Sequence, residues 1–332
     1  MAGISGLGTT FNLPNYVGEL FALSREDTPF LSAIGGLTGG RAADASLFTW
    51  SAYDLRDPDD RQRLEGADAP TPEERVRSTL SNVVEIHQEA VEVSYTKLAA
   101  TGQYNSTGSA HPGSVGVNGT NAVTDELNWQ LQQAIKQVAR DVNYSFINGT
   151  FANPATNATA RQTRGLLAAI TTNAIDGTGL FVDDPDEDLL GDLMQAVFDS
   201  GGIREGETRT LLTNSTQKRK LTNRYVTLAG YQESSRNVGG VNVTTIETDF
   251  GILNIMLEPS LPQTDIVVVS LEECAPRLLP IPDKGFLFVE PLAKTGATEK
   301  SQIYGEIGLE YGIEKHHGKI TGLSTTPFVP VP

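Results

Sequence analysis

From Asp125 to Ile147 the chain repeats apolar side chains at steps of three or four: Leu127, Leu131, Ile135, Val138, Val142 and Phe146. That period places all six on one face of an α-helix. Thr124 is suited to cap its start, Asp125 and Glu126 sit at the positive end of the helix dipole, and Asn148-Gly149 supplies the stop. At about 1.5 Å per residue such a helix is roughly 34 Å long. A helix of this length fixes the dimension of any domain built on it, so the rest of the chain has to pack along a spine.

Upstream, residues 1–45 are rich in Gly, Thr and Ser, with scattered apolar clusters and one short helical stretch near Asn15 to Leu23. Such a segment cannot bury its own apolar groups, so Phe11, Tyr16, Phe21, Phe30 and Leu31 require a host surface elsewhere. Residues 46–54 and 82–97 read as two strands of a long hairpin, with a change of pleat phase near Glu89. Between them, Asp54 to Arg77 contains eight acidic residues, five arginines, no lysine and the prolines Pro58, Pro70 and Pro72. With little to bury, this segment is expected to project. Its arginines Arg56, Arg61, Arg63, Arg75 and Arg77 suit bidentate pairing with carboxylates of another subunit, and Glu65, Glu73 and Glu74 are the acidic counterparts beside them.

Downstream, Asp184-Pro185-Asp186-Glu187 predicts a helix start, followed by the stripe Leu190, Leu193, Met194, Val197 and Phe198 and a stop at Gly201-Gly202. Strands at 208–213, 241–247, 252–257 and 265–270 and a helix at 214–225 complete an α+β unit. In the last segment Ile303, Ile307, Leu309, Tyr311 and Ile313 share one strand face, and Glu306, Glu310 and Glu314 share the other, which is expected to be wet.

Composition removes several function classes. The formal net charge of −16 argues against a surface that clamps nucleic acid through many phosphate contacts. The single cysteine, Cys274, allows no intramolecular disulfide and fits a reducing compartment. No stretch approaches the roughly 18 apolar residues of a membrane span, and Met1 to Asn15 lacks the pattern of a secretion signal. Phosphate-loop, dinucleotide, nucleophile-elbow and zinc-protease signatures are missing. Adjacent His316 and His317 point to opposite faces of an extended chain, and the acidic run at 183–188 reads as helix capping and solvation. No catalytic, cofactor-binding or metal-binding residue is assigned.

Six stretches in order carry a family likeness: Gly6-Leu-Gly-Thr-Thr-Phe-Asn-Leu-Pro-Asn-Tyr, Glu26-Asp-Thr-Pro-Phe-Leu-Ser-Ala-Ile-Gly-Gly, Leu64-Glu-Gly-Ala-Asp-Ala, Glu92-Val-Ser-Tyr-Thr, Asn214-Ser-Thr-Gln-Lys-Arg and the strand Ile303 to Ile313. Together they resemble the major capsid proteins of tailed bacteriophages, with the Hong Kong 97 type capsid fold, in the actinobacteriophage and podovirus branch. The resemblance implies an α+β chain with an N-terminal arm at 1–45, an extended β-hairpin loop at 46–98, a peripheral domain at 99–183 and 285–332 around a spine helix at 125–147, and an axial domain at 184–284.

The same resemblance implies self-assembly as hexamers and pentamers into an icosahedral head, in the host cytoplasm, around double-stranded DNA that is enclosed without sequence-specific binding. Portal, scaffolding and decoration proteins are the implied partners, no membrane is involved, and the destination is the virion. Inter-subunit contacts fall on the loop residues and arm residues named above. Some relatives cross-link a loop lysine to an asparagine; here the loop holds only Lys97, at its base, so a non-covalent shell is implied. No long helical scaffolding region precedes the arm, which points either to a separate scaffold or to a matured chain. The loop from Gly102 to Gly119 is a candidate contact for a decoration protein. Two alternatives stand beside this: an encapsulin-like nanocompartment shell with protein cargo, and a soluble enzyme with a carboxylate site.

Overall fold

The computed structural model describes residues 26–53, 55–56, 58–75, 77–99, 126–184, 188–204, 207–228 and 244–328. In chain order these form α1 (Pro29–Ala33), β1 (Arg41–Ala42), β2 (Leu47–Tyr53), β3 (Arg77–Val83), β4 (Glu85–Ser94), α2 (Tyr95–Ala99), α3 (Glu126–Asn148), α4 (Leu166–Ala169), β5 (Ala174–Asp176), α5 (Leu189–Asp199), β6 (Thr208–Thr213) and α6 (Ser215–Leu228). The chain continues through β7 (Thr245–Thr248), β8 (Gly251–Leu257), β9 (Ile266–Val269), β10 (Ala275–Leu278), β11 (Leu287–Pro291), β12 (Thr298–Glu310) and β13 (Gly318–Thr321).

Two sheets share the work of building the core. In the first, β12 pairs along its length with β4 on one side and with β10 and β11 on the other, and β1 extends β10 in parallel. The second has the order β5-β13-β9-β6-β8-β7. Its central strand β9 reads Ile-Val-Val-Val and is buried on both faces, the pattern of a strand with no solvated side. Val267 and Val269 pack with Phe146 and Ile147 of α3, whereas Ile266 and Val268 pack with Leu193 of α5 and Leu221 of α6. The sheet is therefore a wall common to two cores. Sheet membership also crosses the expected limits of 184 and 284: β5 and β13 join the second sheet from outside them, and β10 leaves it for the first. Strand order is a long-range property that local periodicity does not encode.

The spine helix forms as expected, with Ala134, Val138, Val142, Phe146 and Ile147 buried. Ile135 is 36% exposed, so the buried stripe runs through Ala134 instead. The Thr124 cap and Asp125 lie outside the described residues. Where α3 ends, Gly149 meets Gly165 backbone to backbone, with the Gly165 N–H donating to the Gly149 carbonyl at 2.9 Å. A Cβ on Gly149 would stand 2.5 Å from the Thr163 carbonyl oxygen, so only glycine permits this crossing.

Three other expectations are corrected. α5 starts at Leu189 behind Asp188, not behind Asp184; the Asp188 carboxylate is drawn instead to Arg224 on α6, at 3.1 Å. Residues Pro185 and Glu187 lie outside the described residues. Phe198 is largely exposed and stacks at a tilt on Phe250, while the rest of the stripe is buried. The pleat of β4 keeps one phase throughout, with Glu85, His87, Glu89, Val91 and Val93 turned to the more buried side; the phase changes earlier, at Val83 and Val84, which are both buried.

The second face of β12 is not wet. Glu306 and Glu310 are only 7% and 6% exposed. Arg161 reaches Glu306 at 2.9 Å, and Arg277 and Arg41 reach Glu310 at 2.6 and 3.3 Å. Alternating charge reads as a solvated face, but arginines far away in sequence cover this one. The carboxylates are buried while the guanidinium groups keep contact with solvent, so removing an arginine is expected to cost on the order of 1–3 kcal/mol by leaving a buried acceptor without its donor.

Phe30 and Leu31 also find their host surface within the same chain. Both are buried in the core cluster that also holds residues of α3 and β12, so they are core residues of this chain. The device that holds them is the carboxyl group of Glu258, fully buried at the end of β8. Its Oε2 accepts the Phe30 N–H at 3.1 Å, and its Oε1 accepts the Asn143 amide at 2.8 Å and the Ser260 N–H at 3.0 Å. Asn143 in turn accepts the Leu31 N–H at 2.9 Å.

Both Glu258 oxygens face donors, so Glu258→Gln sets an N–H₂ group against another donor whichever way the amide turns. Urea denaturation of the free subunit is expected to show a loss of about 1–3 kcal/mol. An unchanged midpoint would contradict the role given to this carboxyl group.

Candidate assembly surfaces

The extended loop is rooted firmly and exposed beyond its root. β2 and β3 pair antiparallel from Leu47↔Val83 to Tyr53↔Arg77. At the base, the buried Asn82 side chain donates to the carbonyls of Leu309 and Arg164 at 2.7 and 3.1 Å and accepts the Arg164 N–H at 2.8 Å. Every donor and the acceptor of that amide is used. Trp50 adds an indole N–H to the Gly312 carbonyl at 2.8 Å and an edge contact with Tyr311. From Leu55 to Arg75, in contrast, every described residue is exposed.

Within the loop, Glu73 gathers three of the expected arginines. Arg61, Arg75 and Arg56 approach its carboxylate at 2.5, 3.3 and 3.7 Å. The hydrogen bond from Arg61, with a second from Arg75, holds the Glu73 carboxyl below its usual range. Three guanidinium groups thus share one carboxylate, within a run from Asp54 to Arg77 that holds eight acidic residues and five arginines. Arg63 donates to the Asp68 backbone carbonyl, Arg77 is exposed at the start of β3, and Glu65 and Glu74 are exposed at the tip and beside the Glu73 hub. The described residues thus bring Arg56, Arg61 and Arg75 together and leave Arg63 and Arg77 apart from them. Phe11, Tyr16, Phe21 and the loop at 102–119 lie outside the described residues.

Sequence reading passed over the apolar residues on the loop. Tyr53, Leu55 and Leu64 are all exposed, Leu64 by 86%. The signal was present in their position inside a polar, proline-rich run, where no periodic partner exists to bury them.

Groups that could suggest chemistry are used structurally. His316 Nδ1 lies 2.6 Å from Glu273 Oε1; burial works against ionisation of that carboxyl, but the bonds from His316 and the Ile313 N–H hold it below the usual range. His317 is fully buried: its Nε2–H donates to the Tyr311 carbonyl at 2.6 Å and its Nδ1 accepts the Ser270 N–H at 3.2 Å. Burial also pushes the Cys274 thiol far above its ordinary range, so it is a core residue and a poor nucleophile. Among the described residues no cluster of three His, Cys, Asp or Glu side chains could hold a metal ion, and no helix is long and apolar enough to cross a membrane.

A rooted hairpin, a long spine helix and a second sheet walled against it follow the order of parts that the resemblance implied. The sequence model of the SU10 major capsid protein family matches residues 3–324. The chain belongs to that family. It is a major capsid protein of the virion, and its surfaces serve self-association into a capsid shell.

Solved structures agree on the fold. The capsid asymmetric unit of cyanophage A-1(L) aligns with a TM-score of 0.65 at 13% identity, over 96% of this chain and 99% of that one. Microbacterium phage Oxtober96 gives 0.57 at 12% identity, over 93% and 95%. The holo-SrpI encapsulin complex of Synechococcus elongatus PCC 7942 gives 0.55 at 12% identity, over 97% and 95%. No curated protein sequence matches significantly. At such low identity these likenesses establish the Hong Kong 97 type fold, α+β in class, as expected from the order of parts.

Two buried imidazoles contribute to the acid sensitivity of this capsid protein. Burial lowers His87, against the opposing pull of Glu85 and Asp141, and burial likewise lowers His317. In His317 a second ring proton would also meet the Ser270 N–H. The unfolded chain takes up protons near pH 6.5 that the folded chain refuses, so the stability they contribute is present above that pH and is lost as pH falls below it. Denaturant titrations between about pH 7.5 and 5.5 should show stability falling by up to roughly 1.4 kcal/mol per pH unit for each histidine. A flat profile would show that neither ring is held neutral.

Proposed function

We propose that this capsid protein assembles as hexamers and pentamers into an icosahedral head, in the host cytoplasm, around double-stranded DNA that it encloses without reading its sequence. The observation that carries the reading is the loop: locked at Asn82 and Trp50, exposed at every described position from 55 to 75, and bearing three arginines gathered on one exposed carboxylate. A segment that spends this many residues outside its own body is built to lie on a neighbour. Arg56, Arg61, Arg63, Arg75 and Arg77, with Glu65, Glu73 and Glu74, are its contact residues.

The subunit works as a building block and not as a catalyst. Its net charge of −16 suits a shell that contains DNA without gripping it. Arginines at the tip, with Lys97 at the base near Glu126, support a non-covalent shell. Portal, scaffolding and decoration proteins are its further partners. The encapsulin likeness supports a second reading, a compartment around protein cargo; nucleic acid in purified particles separates the two, since particles carrying cargo protein without DNA would favour the compartment.

Replacing Arg61, Arg63, Arg75 and Arg77 together by alanine should abolish assembled particles in sedimentation and negative-stain microscopy while the monomer keeps its circular dichroism. Normal shells from this variant would remove the loop from the assembly mechanism.

A further inference from the structure

The chain passes between the two sheets at Ser270–Cys274, after β9, and at Tyr311–His317, after β12. These two crossovers are bonded to each other. Glu273 lies against Gly312, where a Cβ would stand 2.5 Å from its Oε2, and it accepts the Ile313 N–H at 3.2 Å. Gly312 holds φ +63, a backbone conformation that suits glycine. The root of the extended loop hangs on the same residue, because the Gly312 carbonyl is the acceptor for the Trp50 indole N–H at 2.8 Å. Trp50 also sets its ring at an edge to Tyr311, with 5.1 Å between centroids.

His317 pins the two crossovers together. Its buried ring spans them, donating from Nε2 to the Tyr311 carbonyl at 2.6 Å and accepting the Ser270 N–H on Nδ1 at 3.2 Å. Only the neutral ring with its proton on Nε2 makes both bonds. A second proton, on Nδ1, would stand donor against donor with Ser270. Burial is the largest influence against the charged ring; the Tyr311 carbonyl and Glu273, on the facing crossover, favour it, while His316 on the same turn and Arg209 on β6 oppose it. Glu273 is itself held by His316, whose Nδ1 lies 2.6 Å from Oε1.

We propose that this joint is an acid-sensitive latch on the root of the extended loop. Protonation of His317 drives off the Ser270–Cys274 crossover, Glu273 leaves Gly312 and Ile313 with it, and the Trp50 indole loses the carbonyl that fixes it. The latch is closed above the ordinary histidine range, about pH 6.5, and opens as pH falls below it. Asn82 keeps its bonds to Leu309 and Arg164 in both states, so the Trp50 side of the root is released while the subunit stays folded. The consequence for assembly, a subunit less competent in acid, rests on the reading of the loop as an inter-subunit arm; the latch itself does not.

The chain has two tryptophans, so Trp129→Phe leaves Trp50 as the sole reporter. Titrated from about pH 7.5 to 5.5, the free subunit should show Trp50 emission moving to longer wavelength and acrylamide quenching rising about twofold, with unchanged far-ultraviolet circular dichroism. His317→Gln, whose amide offers a donor and an acceptor but takes up no proton, should remove the transition, and His87→Gln should keep it. Glu273→Ala, at a partly exposed site, should give the acid spectrum already at pH near 7.5. A Trp50 signal that stays flat until circular dichroism is lost overturns the proposal, as does a transition that survives His317→Gln or vanishes in His87→Gln. Should His317→Gln fail to fold, Glu273→Ala decides: the unchanged neutral spectrum in that variant overturns the latch. Failure of the latch is read on the free subunit, whereas failure of the loop reading appears as normal shells from the four-arginine variant.

Discussion

The carboxyl group of Glu258 is the point at which the subunit becomes one body. It is fully buried, and its three hydrogen bonds come from α1, from near the C-terminal end of the spine helix and from the turn after β8. A buried carboxyl with open oxygens would be costly, so burial of this group requires all three elements to be present together. Around it the two cores meet across β9, whose alternate valines belong to different clusters. The arm before β1 is thereby bound to its own chain from Phe30 onward.

Among the described residues, the extended loop is the part whose surface chemistry does not close on itself. Its root is as tightly bonded as any core element, through the Asn82 amide and the Trp50 indole. Beyond Tyr53 it keeps order through a carboxylate hub and a glycine turn, not through apolar burial. Exposed ion pairs of this kind contribute only about 0–1 kcal/mol each in an isolated subunit. The same guanidinium groups interact more strongly once a neighbour excludes water from them. Weak order alone and strong order in company suit a building block that must remain soluble before assembly.

Much of this was legible in the sequence. The 3.6-residue period marked α3 and most of α5, the alternation marked β12, and the charged proline-rich run marked a projecting loop. The misreadings share a cause. Ile135 fits the stripe by spacing, but the direction of the core is set by β4 and β12, which turn Ala134 inward. Glu306 and Glu310 alternate like solvent-facing residues, yet Arg161, Arg277 and Arg41 cover them from remote positions in the chain. Glu258 and Asn143 had no local signal at all, since a buried polar network is defined by partners that only the fold brings together. The likeness to capsid proteins supplied the architecture; side-chain partners could come only from coordinates.

Hydrogen exchange of the free subunit and of assembled shells, compared peptide by peptide, tests the central claim most directly. The account predicts strong protection of β9 and the spine helix in both states, together with fast exchange across residues 55–75 in the free subunit that slows at least tenfold in the shell. Equal exchange of the loop in the two states would contradict it, because the loop would then have no neighbour to lie on.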